Sequence, residues 1–271
     1  MFHYTTSNTV RFKKTIEVIK DVGMETYIRA NHEGLFFYEK SPEALHQEKY
    51  TIITKFLPNV SDSKYTFQSD GFINEYYKKF DTHQLYKCIK HLAGGKTIIL
   101  FNEKDELVIQ NPEKNAEDRV KYRNIDPVEI DFSFKTDQLE QIVLDITQYT
   151  QLIKHLKATD EFEKVTLQLK SSGSEKHQYV HFYAKSSLQS CIQDLFPVGT
   201  EPLLTNEDDK VILEQEFKIS TLMLFIKSCN LNTSTLCLYF YPTGIIIQVN
   251  IQNLGTMVFF CGETKTVEWI Q

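Results

Sequence analysis

The chain has 271 residues, with 30 Lys and Arg against 36 Asp and Glu for a formal net charge of -6, and it is 41% hydrophobic and 13% aromatic. That composition excludes a disordered chain, and no run nears the roughly 20 consecutive apolar residues of a membrane span. The length suits one large domain or two of about 130 residues, and the opening "MFHYTTSNTV" lacks the basic and apolar regions of a secretory signal, so an intracellular protein is expected.

Apolar periodicity predicts a first helix over residues 9–22. At 100° per residue Phe12, Ile16, Val18, Ile19 and Val22 share one arc, and Lys13, Lys14, Glu17 and Lys20 share the opposite one. Strand-like runs follow: "ETYIRAN", "GLFFYEK", "EKYTIITKFL" and "GFINEYYKKF". A second helix, "DTHQLYKCIKHLAG", opens on Asp81 as N-cap and closes at Gly94. Its apolar stripe is Leu85, Cys88, Ile89 and Leu92; His83, Lys87, Lys90 and His91 lie on the far side, which carries no acidic residue. The strands "KTIILFNE" and "ELVIQN", the charged stretch "PEKNAED" and the run "RVKYRNI" complete the first half.

From Val128 the order begins again. A strand "VEIDFSF" leads into a helix "TDQLEQIVLDITQYT", whose outer face presents Asp137, Glu140, Gln141, Leu144 and Gln148 rather than basic residues. Strands "EKVTLQLKSS", "QYVHFYAKSS", "LQSCIQDLF" and "KVILEQEFKI" precede a short apolar helix "STLMLFIKSC" and three closing runs, "STLCLYFYPT", "GIIIQVNIQN" and "GTMVFF". The shared order is an internal repeat of about 125 residues joined near Asp126 and Pro127, giving domains at 1–126 and 127–271. Strand-dominated halves with two helices each predict an α+β fold whose sheets are covered on one face by helices.

The chemistry of an enzyme is not written in this chain. It has no GxSxG, no Gly-rich phosphate loop, no HExxH and no Cys-His pair at a helix start, and "AGGK" at 93–96 is too short for a Walker loop. No metal site and no cofactor is expected. Cys88, Cys191, Cys229, Cys237 and Cys261 are odd in number and widely spaced, which suits buried free thiols in a reducing compartment. His177 and His181 have strand spacing with no carboxylate or Cys set beside them in sequence.

Positive charge on two helices of a net acidic chain makes sense where those helices face a polyanion, since neutralising phosphates gives sequence-independent affinity. Three places resemble the sliding clamps of the proliferating cell nuclear antigen family: "MFHYTTSNTVRFKKTIEVIKDV", "LYKCIKHLAGGKTIIL" and "LMLFIKSCNLNTSTLCLYFYPTGIIIQVNIQNLGTMVFFCGE". With the internal repeat, the resemblance covers essentially the whole chain. It implies a ring of six such domains, usually three subunits of two, with helices lining a central hole for duplex DNA and sheets outside. It also implies a DNA polymerase and other clamp-binding proteins as partners, a clamp loader, a homotrimer, and a nuclear or viral host-cell replication site.

Carried onto this chain, the resemblance places Lys13, Lys14, Lys20, Lys87 and Lys90 toward DNA, with His83, His91, Lys96 and Lys227 as additions; Lys154 and Lys157 lie just beyond the acidic-faced helix. The family's partner pocket maps to Lys40, Leu45, Ile125, Val128, Gly244, Phe260 and Gly262, although Ile125, Val128 and Phe260 suit an ordinary core equally. Subunit contacts map to 119–124 and 188–195, with Arg119, Lys121, Arg123, Leu188, Ile192 and Leu195 at the edges. Three other readings fit: a subunit of a heterotrimeric checkpoint clamp, a viral clamp-fold processivity or transcription factor without a closed ring, and an interaction protein with no DNA affinity.

Overall fold

The computed structural model describes residues 1–40, 49–57, 59–69, 74–92, 95–123, 140–159, 161–172, 177–200, 209–231, 234–241 and 244–262. The protein is α+β, and among these residues strands outnumber four α-helices. Among the described residues no helix is long and apolar enough to cross a membrane. Two compact units divide the chain: Met1–Leu45, Thr51–Ser133 and Asn250–Val258 form the first, and His46–Tyr50, Phe134–Val249 and Phe259–Gln271 the second. The join read from the sequence, at 126 and 127, lies outside the described residues.

In the first unit β1 (Phe2–Thr6) leads into α1 (Thr9–Val22), the range that periodicity predicts. Then come β2 (Glu25–Asn31), β3 (Gly34–Lys40), β4 (Lys49–Phe56), β5 (Asn59–Val60), β6 (Ser63–Phe67), β7 (Tyr76–Asp81) and α2 (Thr82–Leu92). After α2 the chain forms β8 (Ile98–Glu103), β9 (Glu106–Asn111) and β10 (Ala116–Arg123). The strands run β4-β3-β2-β7 and β10-β9-β8-β1-β6-β5, and the runs meet where Tyr122 and Arg123 oppose Phe80 and Lys79. The pairings among these described strands are antiparallel.

Alternation decides which strand face meets the helices: Thr26, Ile28 and Ala30 of β2 are buried while Glu25, Tyr27 and Arg29 are partly exposed. An aromatic chain runs through the core, with ring centroids 5.3 Å apart for Phe12 and Phe56, 5.4 Å for Phe37 and Phe56, and 5.9 Å for Phe37 and Phe80. Against it α1 buries Phe12, Ile16 and Ile19, and α2 buries Leu85, Ile89 and Leu92. Each such side chain contributes about 1.5–3 kcal/mol when removed from water. Asn8 caps α1 by accepting from the Arg11 N–H at 3.4 Å, and Asp81 caps α2 by accepting from the Gln84 N–H at 2.9 Å.

A strap from late in the chain completes this unit. Within Asn250–Val258 the Leu254 carbonyl accepts from the Leu57 N–H at 2.9 Å, Asn253 Nδ2 donates to Asp62 Oδ2 at 3.0 Å, and Leu254 is fully buried. Gly255 is required there, because a Cβ would overlap the Lys55 carbonyl oxygen.

The second unit contains β11 (Gln141–Asp145), α3 (Ile146–Ala158), β12 (Lys164–Ser172), β13 (His177–Lys185) and β14 (Ser190–Leu195). It continues with β15 (Lys210–Lys218), α4 (Ile219–Cys229), β16 (Thr235–Tyr241), β17 (Gly244–Ile251) and β18 (Gly255–Gly262), the last two extending into the strap. Its sheets run β14-β13-β12-β15 and β11-β16-β17-β18.

Here the structure corrects the sequence. The helix expected over "TDQLEQIVLDITQYT" is replaced by β11 from Gln141 to Asp145, with α3 starting at Ile146; the expected strand "VEIDFSF" lies outside the described residues. The cause is a change of period at Asp145. Ile142 and Leu144 are buried at strand spacing, whereas Tyr149, Leu152, Ile153 and Leu156 are buried at helical spacing. Asp145 caps the helix by accepting from the Gln148 N–H at 2.9 Å.

Candidate nucleic-acid interface

The helices concentrate positive charge. The segments α1 to α4 carry nine Lys and Arg against two acidic residues, Glu17 and Asp21, a formal +7 in a chain of -6, so the rest of the chain carries -13. Acidic residues gather instead on strands, as Glu103, Glu106 and Glu117 do around Arg119.

On α1 the Lys14 side chain is exposed and Lys13 half-buried. Lys20 is engaged: its Nζ lies 2.8 Å from Asp21 Oδ1 and 4.8 Å from the Tyr86 ring centre, and the Asp21 hydrogen bond raises its pKa. Arg11, which the sequence reading passed over, donates to Gln252 Oε1 of the strap at 2.5 Å. On α2 His83, Lys87, Lys90 and His91 are all exposed, as its amphipathic pattern requires. His91 Nδ1 is 3.0 Å from Asp118 Oδ2 of β10. Lys96 is exposed in the turn before β8, where its own backbone N–H donates to the Glu113 carboxylate at 2.6 Å.

The second unit contributes more than its sequence promised. With α3 moved to Ile146–Ala158, Lys154, His155 and Lys157 stand exposed on it and it has no acidic residue. Of the five residues assigned to its outer face, only Gln148 is there. Asp137 lies outside the described residues, Glu140 precedes β11, Gln141 opens β11 and Leu144 is buried in it. The available signal was the Asp-x-x-Gln cap followed by helical spacing from Tyr149. On α4, Lys227 is exposed and no acidic residue occurs.

Among the residues mapped to subunit contacts, Leu188 and Ile192 are 80% and 61% exposed, on or beside β14, while Leu195 is 2% exposed and belongs to the core. Among the described residues β14 is an edge strand, paired with β13. Arg119 is surrounded by Glu103, Glu106 and Glu117, and Arg123 bonds Glu25 at 2.6 Å and Asp81 at 3.0 Å; Lys121 is exposed between them. Of the pocket residues, Leu45, Ile125 and Val128 lie outside the described residues and Lys40 ends β3. Gly244 opens β17, where a Cβ would overlap the Cys261 carbonyl oxygen; Phe260 is 4% exposed and meets Tyr241 edge-on at 6.4 Å, and Gly262 ends β18.

None of the five cysteines forms a disulfide; Cys229 and Cys261 are buried, and burial pushes the Cys229 thiol up to about 12. His181, read as having no carboxylate beside it, receives one from the neighbouring strand, with Nδ1 2.7 Å from Asp194 Oδ1. No protein-family model matches the chain, and no curated protein matches it.

Proposed function

We propose that this protein is a sliding clamp of the proliferating cell nuclear antigen type, which encircles duplex DNA as a homotrimer and tethers a DNA polymerase during replication and repair. The observation that carries this reading is the segregation of charge: each of the four described helices carries more basic than acidic residues, and the rest of the chain is strongly acidic. A basic helix face touches phosphates without reading bases, which suits a protein that must slide.

Repetition of the secondary structure supports the same reading. β1 pairs with β8 as β11 pairs with β16, and β2 pairs with β3 and β7 as β12 pairs with β13 and β15. Each of these units joins a strand, a helix, a set of strands, a second helix and three strands. The exposed apolar residues on edge strand β14 suit a contact with another subunit, because an open edge with Leu188 and Ile192 beside it invites strand pairing.

Solution mass across a concentration series, measured by light scattering after chromatography, tests the assembly. A species near three times 31.7 kDa supports a self-closing ring. A monomer at all concentrations counts against it and directs the search to a heteromeric clamp subunit or a ring-free factor. Retention on closed circular DNA, with release on linearisation, then tests encirclement itself.

A further inference from the structure

We infer that Glu39 is a carboxylic acid in the folded protein and acts as a proton-dependent latch between the end of α1 and the start of α2. Glu39 lies on the helix-facing side of β3 and is 2% exposed. Its Oε2 is 2.6 Å from Thr26 Oγ1 and 3.1 Å from Thr82 Oγ1, and the two threonine hydroxyls are 2.7 Å from each other. Three oxygens thus form a closed triangle of three hydrogen-bond contacts. Two hydroxyls supply only two hydrogens, so an ionised Glu39 leaves one contact between oxygens with no proton between them. A protonated carboxyl supplies the third, and each oxygen then donates once and accepts once.

The triangle sits at a joint. Thr82 is the first residue of α2, and its N–H donates to the carbonyl of exposed Met24, in the turn that follows α1, at 3.0 Å. Gly23, the C-cap of α1, lies so close to Glu39 that a Cβ there would overlap Oε1. The Glu25 backbone also hydrogen-bonds the carboxyl. One side chain therefore holds β2, the α1 exit and the α2 entry together.

The charged groups around it do not favour ionisation. Glu25 on β2 has the same sign, and its own carboxyl is held below the usual range by Lys79 and Arg123. The Lys20 ammonium on α1 is engaged by Asp21, and Asp81, at the end of β7, caps α2 and pairs with Arg123. On β3 Tyr38 bonds Thr51 and remains a neutral phenol, and β4 sets the apolar Ile52 opposite Glu39. Desolvation by burial, the largest effect, carries the Glu39 pKa up to about 8 against the lowering effect of its hydrogen bonds.

Between the ordinary carboxyl pKa of 4.5 and about 8, the folded state holds a proton that the unfolded state has released. The latch is therefore at full strength below the lower value and is lost as pH rises through the upper one, at up to about tenfold in the folding constant per pH unit.

Two measurements on the whole protein decide this, and neither depends on DNA. Carbon-13 NMR of the Glu39 side-chain carboxyl, assigned with Glu39→Gln, is expected to show the protonated form at pH 6 and a midpoint near 8; an ionised signal at pH 6 overturns the inference. Urea denaturation from pH 5 to 9 is expected to give a folding constant that falls more steeply with pH for the wild type than for Glu39→Gln, whose amide donates without titrating. Parallel profiles overturn it. Thr82→Val, which removes one corner of the triangle, is expected to shift the carboxyl midpoint, and an unmoved midpoint excludes the latch.

Discussion

Lys20 Nζ and Asp21 Oδ1 lie 2.8 Å apart, which ties down one cation of α1 while Lys13 and Lys14 have no ion pair among the described residues. Replacing Lys13, Lys14, Lys87 and Lys90 together by Ala is expected to weaken binding to a labelled duplex and to flatten its salt dependence by roughly three to four in the slope of log K against log salt. Lys20→Ala alone should change affinity by about twofold or less, because its charge is already shared with Asp21. Fluorescence anisotropy over a salt series checks both; an unchanged slope in the quadruple variant sinks the DNA-facing assignment.

A matching loss is expected from α3. Lys154→Ala with Lys157→Ala removes the two lysines of that helix, both exposed, so the fold should tolerate it. The salt slope should fall by about two. Were the second unit's helices turned away from DNA, affinity would not move.

Ile192 offers a separate test of assembly. At 61% exposure it has little core to disrupt, so Ile192→Lys should leave the melting temperature nearly unchanged. If β14 joins a second subunit, the same change should lower the mass measured by light scattering toward 31.7 kDa. A variant that keeps the wild-type mass removes β14 from the contact.

Tyr149 is fully buried, and its hydroxyl has no hydrogen-bond partner among the described residues. Burial raises the phenol well above its ordinary pKa. Tyr149→Phe removes an unsatisfied polar atom while keeping the ring against Phe182, and should stabilise the protein by about 1 kcal/mol in urea denaturation. A loss of stability would show that the hydroxyl has a partner after all.

Gly255→Ala should do the reverse. Its methyl group meets backbone rather than a movable side chain, so a loss of about 2–3 kcal/mol is expected in the same assay. A neutral effect would mean that the strap docks more loosely than its contacts with Leu57 and Asp62 indicate.

Long, strongly periodic elements were legible in the sequence. The first helix needed only Phe12, Ile16 and Ile19 at helical spacing, and the basic face of α2 followed from the same count. The hairpin β5–β6 was missed because its inward residues include Ser63 and Tyr65 rather than aliphatic ones; Ser63 is buried by bonding Tyr4 at 3.1 Å. At α3 the chain passes from strand to helix without a glycine or proline, and apolar residues on both sides of Asp145 blur two periods into one. That one boundary error concealed Lys154, His155 and Lys157 as a helix face. Neither the Glu39 triangle nor the His181 contact with Asp194 could be found by spacing, since each joins residues brought together only by strand pairing and helix docking.

The strap also fixes an order of events during synthesis. A ribosome that has released residues 1–123 has not yet made Leu254 or Gly255, whose backbones meet Leu57 and Lys55. At about 5–20 residues per second, at least six seconds separate those two points. Until then the nascent first unit lacks the side chain that is fully buried at Leu254 in the folded protein, so the unit is completed only after the second half of the chain has been made.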